Sequence, residues 1–233
     1  MELILVRHGE PQWVRDGLNV NDPVLTKRGG KQAQAVADRL ADSSQEPASG
    51  PIDRLLVSPA VRAVATSEPI AEATGIDAEV VPWLLEFQLP ESWEGQPVEV
   101  AREAFARQRK ASRADWWEGF EGSETIRDFH KRVTQGAVEA LAEAGVRRLD
   151  ADGLWSVPDD APERWVAVAH GGTNSTLVSF LLGCDPEPWE WERFNMGHAS
   201  VAVLSTVELA GAAIWSLRAL GDANHLDLDH RTE

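Results

Sequence analysis

The order of short apolar runs and helical repeats constrains this chain more than any other feature. Residues 2–6 form a short apolar run rich in Leu, Ile and Val that stops abruptly at Arg7-His8-Gly9, the pattern of a buried strand entering a loop. Similar runs recur at 54–57, 79–81 and 165–169. Between the first two, Thr26 is an expected N-cap, and Ala33, Val36, Ala37 and Leu40 follow the i, i+3, i+4, i+7 spacing of a helix. After the second run, Ser58-Pro59 reads as N-cap plus proline at the first helical position; Pro69 should kink or break that helix, and Gly75 should end it. After the fourth, residues 173–182 read as a helix closed by Gly183.

Strand, helix, strand, helix in this order predicts an α/β fold in three layers, with a mostly parallel central sheet and helices on both faces. Residues 201–206 and 212–217, joined through Gly211, are expected to form an antiparallel hairpin at one edge of that sheet. A long helix is expected over 123–144, with Ile126, Phe129, Val133, Ala137, Ala140 and Leu141 on one face. Residues 149–164 read as an exposed loop, and 87–122 as an inserted lid over one end of the sheet. The 233 residues suit a single domain spanning 1–233.

Ligands of open α/β sheets bind beyond the carboxyl ends of the strands. There the chain places Arg7, His8 and Gly9 after the first strand, Ser58 and Arg62 after the second, and His170, Gly171 and Gly172 after the fourth. Two arginines and two histidines make a cationic pocket, although Lys+Arg 22 against Asp+Glu 38 leaves a net charge of −16. Such a pocket suits a dianionic phosphoryl group. Arginine offers a planar fork of donors and stays charged, and neutral histidine can attack phosphorus and hold the phosphoryl group covalently. The glycines let backbone approach closely. A metal site at His8 and His170 is disfavoured by the adjacent arginines.

These residues sit in a pattern that resembles the histidine phosphatase superfamily, which includes the cofactor-dependent phosphoglycerate mutases. Leu5-Val6-Arg7-His8-Gly9-Glu10 is similar to its signature, and Asp22-Pro23-Val24-Leu25-Thr26, Ser58-Pro59 with Arg62-Ala63, Leu85-Glu86, Trp93-Glu94-Gly95, Gly122-Ser123-Glu124 with Arg132, and Ala169-His170-Gly171-Gly172 follow in order. The resemblance implies that His8 is the phosphorylated nucleophile, that Arg7, Arg62 and His170 form the phosphate pocket, and that Glu86 gives a proton to the leaving alcohol. Glu91 and Glu94 stand near enough in sequence to compete for that last role. Asn19 and Gly171 are expected at the substrate, whereas Gly9 and Glu10 need not touch it. His198 and His225 are expected to support the site, Glu124 to serve a helix dipole, and His130 and His230 to be structural or solvated. No metal and no cofactor is implied.

The same phosphohistidine serves a phosphatase, in which water attacks it, and a mutase, which returns the group to its product. Val14 stands where the mutase signature has an asparagine, and 87–122 does not match the mutase lid. The expected activity is therefore hydrolysis of a small phosphorylated metabolite. The alternatives are a bisphosphoglycerate-dependent mutase, an inactive phosphate-binding domain, and action on phosphorylated protein side chains. Arg102, Arg107, Arg109, Lys110 and Arg113 read first as a solvated helix face and second as a grip on an anionic substrate arm. Trp93, Trp116 and Trp117 are candidates for an apolar leaving-group pocket. The net charge argues against nucleic acid and anionic membranes. A single cysteine, Cys184, expected as a buried inert thiol, and the absence of a leader-like start point to the cytoplasm. A homodimer is the expectation that the resemblance adds.

Overall fold

The strands sort their side chains by parity onto two apolar faces, and that alternation sets the layers. In the computed structural model, which describes residues 1–42, 51–149, 153–209 and 211–233, the first part of the chain forms β1 (Glu2–Arg7), a two-residue ribbon of β2 (Val14–Arg15) and β3 (Leu18–Asn19), then α1 (Lys27–Ala41), β4 (Arg54–Val57), α2 (Val61–Thr74) and β5 (Ala78–Val80). Next come α3 (Val98–Gln108), α4 (Arg113–Glu118), α5 (Ile126–Glu143), β6 (Arg147–Arg148), β7 (Trp155–Ser156), β8 (Arg164–Ala169), α6 (Gly171–Leu181), α7 (Glu190–Arg193), β9 (Val201–Leu209) and β10 (Ala212–Asp222).

The main sheet runs β5-β4-β8-β1-β9-β10-β7-β6. Its first four strands are parallel and the rest antiparallel, the expected α/β architecture. Ile4 and Val6 of β1, Val166 and Val168 of β8, and Leu55 and Val57 of β4 bury against Val36, Ala37 and Leu40 of α1 and Ala63 and Ile70 of α2. The alternate residues, Leu3, Leu5, Leu56, Trp165 and Ala167, bury against Phe129, Val133 and Leu141 of α5 and Leu177 and Leu181 of α6. A one-residue slip in any of these strands would carry each side chain into the wrong layer.

Several local expectations are corrected. Ser58 does not cap α2; the helix starts after Ala60, and Asp22, far away in sequence, accepts the Val61 N–H (3.0 Å). The Ser58 hydroxyl is instead committed to His170. Pro69 does not break α2, because Thr66, Ser67 and Ile70 bury on the sheet side and hold the last turns in place. Gly75, at φ 72°, ends it as expected. The long helix begins at Ile126, capped by Thr125, while the Ser123 hydroxyl bonds the Phe120 and Glu124 carbonyls in the preceding turn. The 201–222 hairpin is longer than expected and lies inside the antiparallel flank. Residues 155–156, expected in a loop, continue the sheet beyond it because Trp155 buries its ring there; residues 150–152 of that stretch lie outside those described.

Residues 87–122 hold α3, α4 and a single 3-10 turn at Glu91–Trp93, and they dock on the β2–β3 ribbon through Asn19 N–H to Gln96 O (2.8 Å) and Val98 N–H to Gly17 O (3.0 Å). Among the described residues no helix is long and apolar enough to cross a membrane.

Candidate active site

Arg7 ends β1 and His8 follows it, Ser58 follows β4, and His170 joins β8 to α6, so the parallel register alone gathers them at one crevice. His8 is 3% exposed. Its Nδ1 lies 2.8 Å from the Gly9 carbonyl; a carbonyl has no proton to give, so Nδ1 carries the hydrogen and Nε2 keeps its lone pair. Arg62 Nε–H donates to that Nε2 at 3.2 Å. The His170 ring stands edge-on to His8, with centroids 5.1 Å apart, and its Nε2 is 2.8 Å from Ser58 Oγ. Its Nδ1 is buried without a hydrogen-bond partner in the protein.

Burial pushes the titration of His8 well below the ordinary histidine value, the charge of Arg62 pushes the same way, the Gly9 carbonyl opposes them, and Arg7 adds a smaller downward push. His170 is depressed for the same reasons, burial first. His198, between Arg7 Nη2 (3.3 Å) and Thr232 Oγ1 (2.9 Å), is pushed down to about 3. All three rings are therefore neutral at physiological pH. Arg7 also donates to the Met196 carbonyl. Arg62 donates to Asp22 (3.3 Å) and lies 4.7 Å from the centroid of the Trp13 ring.

Glu86 is set on the crevice by the start of α6. Gly172 N–H donates to Oε2 (2.8 Å), Thr173 N–H to Oε1 (3.1 Å) and Phe87 N–H to Oε1 (3.0 Å), which spends free N–H groups of a helix N-terminus on a carboxylate. Arg132 of α5 holds the backbone behind it, donating to the carbonyls of Trp83 (3.1 Å), Leu85 (3.0 Å) and Glu86 (3.3 Å). Glu124 pairs with Arg132 through both oxygens, at 2.9 and 2.8 Å, so it anchors this brace instead of serving a helix dipole.

These groups open onto a cavity of about 760 Å³. Arg7, His8, Arg62, Glu86 and Gly171 face it; His170 lies behind His8, fully buried and off the cavity wall. Asn19 does not reach it. Its side chain donates to the Pro97 carbonyl (3.1 Å), turned away by the ribbon, and Asn21 and Asp22 face the cavity in its place. Of the competing acids, Glu91 is on the wall, whereas Glu94 accepts from Asn21 N–H (2.6 Å). Trp116 lines the cavity, but Trp117 is buried off the wall and Trp93 is buried behind it, against Phe105 and Phe120; Trp13 and Trp191 contribute instead.

Gly9 is required by packing and not by a ligand. Its N–H goes to Thr66 Oγ1 (3.0 Å), and a Cβ there would stand 2.5 Å from the Gly29 carbonyl. His225 braces the site from outside, bonded to Ala199 O (2.9 Å) and Arg39 (3.2 Å). The basic residues of 102–113 are mostly solvated or paired, Arg109 with Glu192 (3.1 Å) and Arg113 with Glu187 (2.8 Å). Cys184 is half-buried. Asp227, Asp229 and His230 form the one cluster close enough to hold a metal among the described residues, and none of them lines the cavity.

Compared with known proteins, residues 3–215 match the family model of the histidine phosphatase superfamily (branch 1). No curated protein matches. Among solved structures, the chain resembles a mycobacterial glucosyl-3-phosphoglycerate phosphatase in complex with inorganic phosphate (25% identity, 97% of this chain and 99% of that one, TM-score 0.68). An alpha-ribazole phosphatase from Shigella flexneri shares the fold (22% identity, 95% and 96% covered, TM-score 0.70), as does a phosphoserine phosphatase mutant from Entamoeba histolytica in complex with phosphoserine (21%, 97% and 98%, TM-score 0.64).

Proposed function

The chain belongs to the histidine phosphatase superfamily (branch 1), and from that premise we propose that it hydrolyses phosphate monoesters of small metabolites through a phosphohistidine at His8. The observation that carries the reading is the state of His8: hydrogen fixed on Nδ1 by the Gly9 carbonyl, and Nε2 left as the acceptor, met by Arg62 Nε–H, on a ring that lines the cavity with Arg7 and Arg62.

Nε2 attacks phosphorus as the P–O bond to the alcohol breaks, and Glu86 supplies the alcohol oxygen with its proton. Arg7 and Arg62 bind the phosphoryl oxygens throughout, and His170, edge-on to the His8 ring from behind, holds that ring in place. Water then attacks the phosphohistidine, the P–N bond breaks, and a proton of that water returns to Glu86. Phosphate leaves and every group regains its starting state. The arginines supply the positive charge at phosphorus, so the reading requires no metal ion. The relatives above, phosphatases of three different esters, support hydrolysis as the reaction class.

The test is phosphate release from a panel of monoesters in excess chelator, beside His8→Ala. Release that survives chelation and vanishes in the variant is expected. Substantial turnover by His8→Ala, or activity seen only as bisphosphate-dependent isomerisation of phosphoglycerate, would overturn the reading.

A further inference from the structure

Beyond the phosphate-binding floor, the cavity wall is built from aromatic rings. Trp13 follows β1, Phe105 lies on α3, Trp116 on α4, Phe120 just after it and Trp191 on α7, and all five face the same space. Core packing does not fully account for two of them: Trp13 is 39% and Phe105 44% exposed, large apolar surface left against water where a ligand would cover it. The rings brace one another. Trp116 is edge-on to Trp189 at 5.6 Å and tilted against Trp191 at 6.0 Å, and Phe105 is edge-on to Phe120 at 5.0 Å.

The charges on this wall point the same way. Apart from Arg7 and Arg62, Arg109 is the cationic side chain lining the cavity among the described residues, and Glu192 holds it at 3.1 Å. Glu91 adds further negative charge to the wall. An alcohol bearing a carboxylate would meet repulsion and one cation already paired, whereas a neutral ring would cover the exposed faces of Trp13 and Phe105. The volume, about 760 Å³, leaves room for a group much larger than a three-carbon acid.

Granted the phosphatase reading, we propose that this wall is a leaving-group subsite for phosphate esters of flat aromatic alcohols that carry no carboxylate. Trp116 and Phe105 are its specificity-determining residues, acting on the alcohol and not on phosphorus.

The experiment compares kcat/KM for 2-(1-naphthyl)ethyl phosphate and 3-phosphoglycerate, both esters of primary alcohols, in the unmodified protein, Trp116→Ala and Phe105→Ala. A preference of about tenfold or more for the naphthyl ester is expected, and each substitution should reduce that ratio by about tenfold, mainly through KM. Any unfolded fraction cancels from the ratio, so a poorly folding variant remains informative. Equal or better hydrolysis of 3-phosphoglycerate, or a ratio unchanged in both variants, would refute the subsite while leaving the phosphatase reading intact. Absence of phosphate release from every ester by the unmodified protein would remove both.

Discussion

Replacing Gly172 with alanine should separate proton donation from phosphoryl transfer. Gly172 has helical backbone, and alanine is favoured there on propensity, so the new methyl acts through space alone. A Cβ at this position would stand 2.5 Å from Glu86 Oε1 and 3.1 Å from its carboxyl carbon. Restoring ordinary contact near 3.4 Å moves the oxygen by about 0.9 Å, which breaks or lengthens its bonds from the Phe87 and Thr173 N–H groups. A misplacement of about 1 Å in a reacting group costs on the order of 100-fold, or about 2.7 kcal/mol of barrier. That loss should fall on esters whose alcohol needs a proton as it leaves, while aryl esters with acidic phenols lose less than about threefold. Nothing at His8, Arg7 or Arg62 is touched. The assay is kcat/KM across alkyl and aryl phosphates, a parameter that ends at the first irreversible step and so reports the transfer that Glu86 assists. A parallel decline of both classes would show that Glu86 is not the proton donor, and an unchanged alkyl rate would show that its position is immaterial.

Acid should destabilise the fold well above the carboxylate range. His8, His170, His198 and His225 all titrate lower in the folded chain than in the unfolded one, His198 at about 3 and His225 at about 4. Below about 6.5 the unfolded state binds protons that the native state refuses, so stability present above that pH is lost as pH falls toward the folded values, at up to about 1.4 kcal/mol per pH unit for each group. Thermal unfolding between pH 7.5 and 5.5 should show this slope, and His198→Gln should make it shallower; a flat profile would contradict neutral burial. Gly136→Ala should destabilise α5, because its Cβ would overlap the Trp83 ring. Overpacking of about 1–3 kcal/mol outweighs a helix-propensity gain of about 1 kcal/mol, which lowers Tm by a few degrees in calorimetry. A rise in Tm would show that Trp83 relaxes freely.

What could be read from the chain was what is local or periodic. The parity of Leu3, Ile4, Leu5 and Val6 dictates a strand buried on both faces, and the turn after it delivers Arg7 and His8 to the crevice with no long-range information needed. Thr26 caps α1 through the Gly29 N–H because no competitor claims its hydroxyl as acceptor. Ser58 has the same cap chemistry, but His170 takes its hydroxyl, and the α2 terminus is satisfied by Asp22 from 39 positions away. Local sequence contains neither fact. Asn19 was expected at the substrate and Asn21 faces the cavity instead, a difference of two residues set by how the ribbon docks on Pro97 and Pro90. The aromatic wall was legible least of all, since its rings come from four separate stretches and tryptophan content alone does not tell Trp116 on the wall from Trp117 in the core.

The covalent intermediate is the most direct test of the central claim. The protein is mixed with excess ester, quenched in base within the first turnovers, digested and mapped by mass spectrometry. The account predicts one base-stable, acid-labile phosphoryl group on the peptide that carries His8, formed and consumed at rates compatible with turnover and absent from His8→Ala. A phosphoryl group on another residue, or steady hydrolysis with no covalent species at any time, would contradict it.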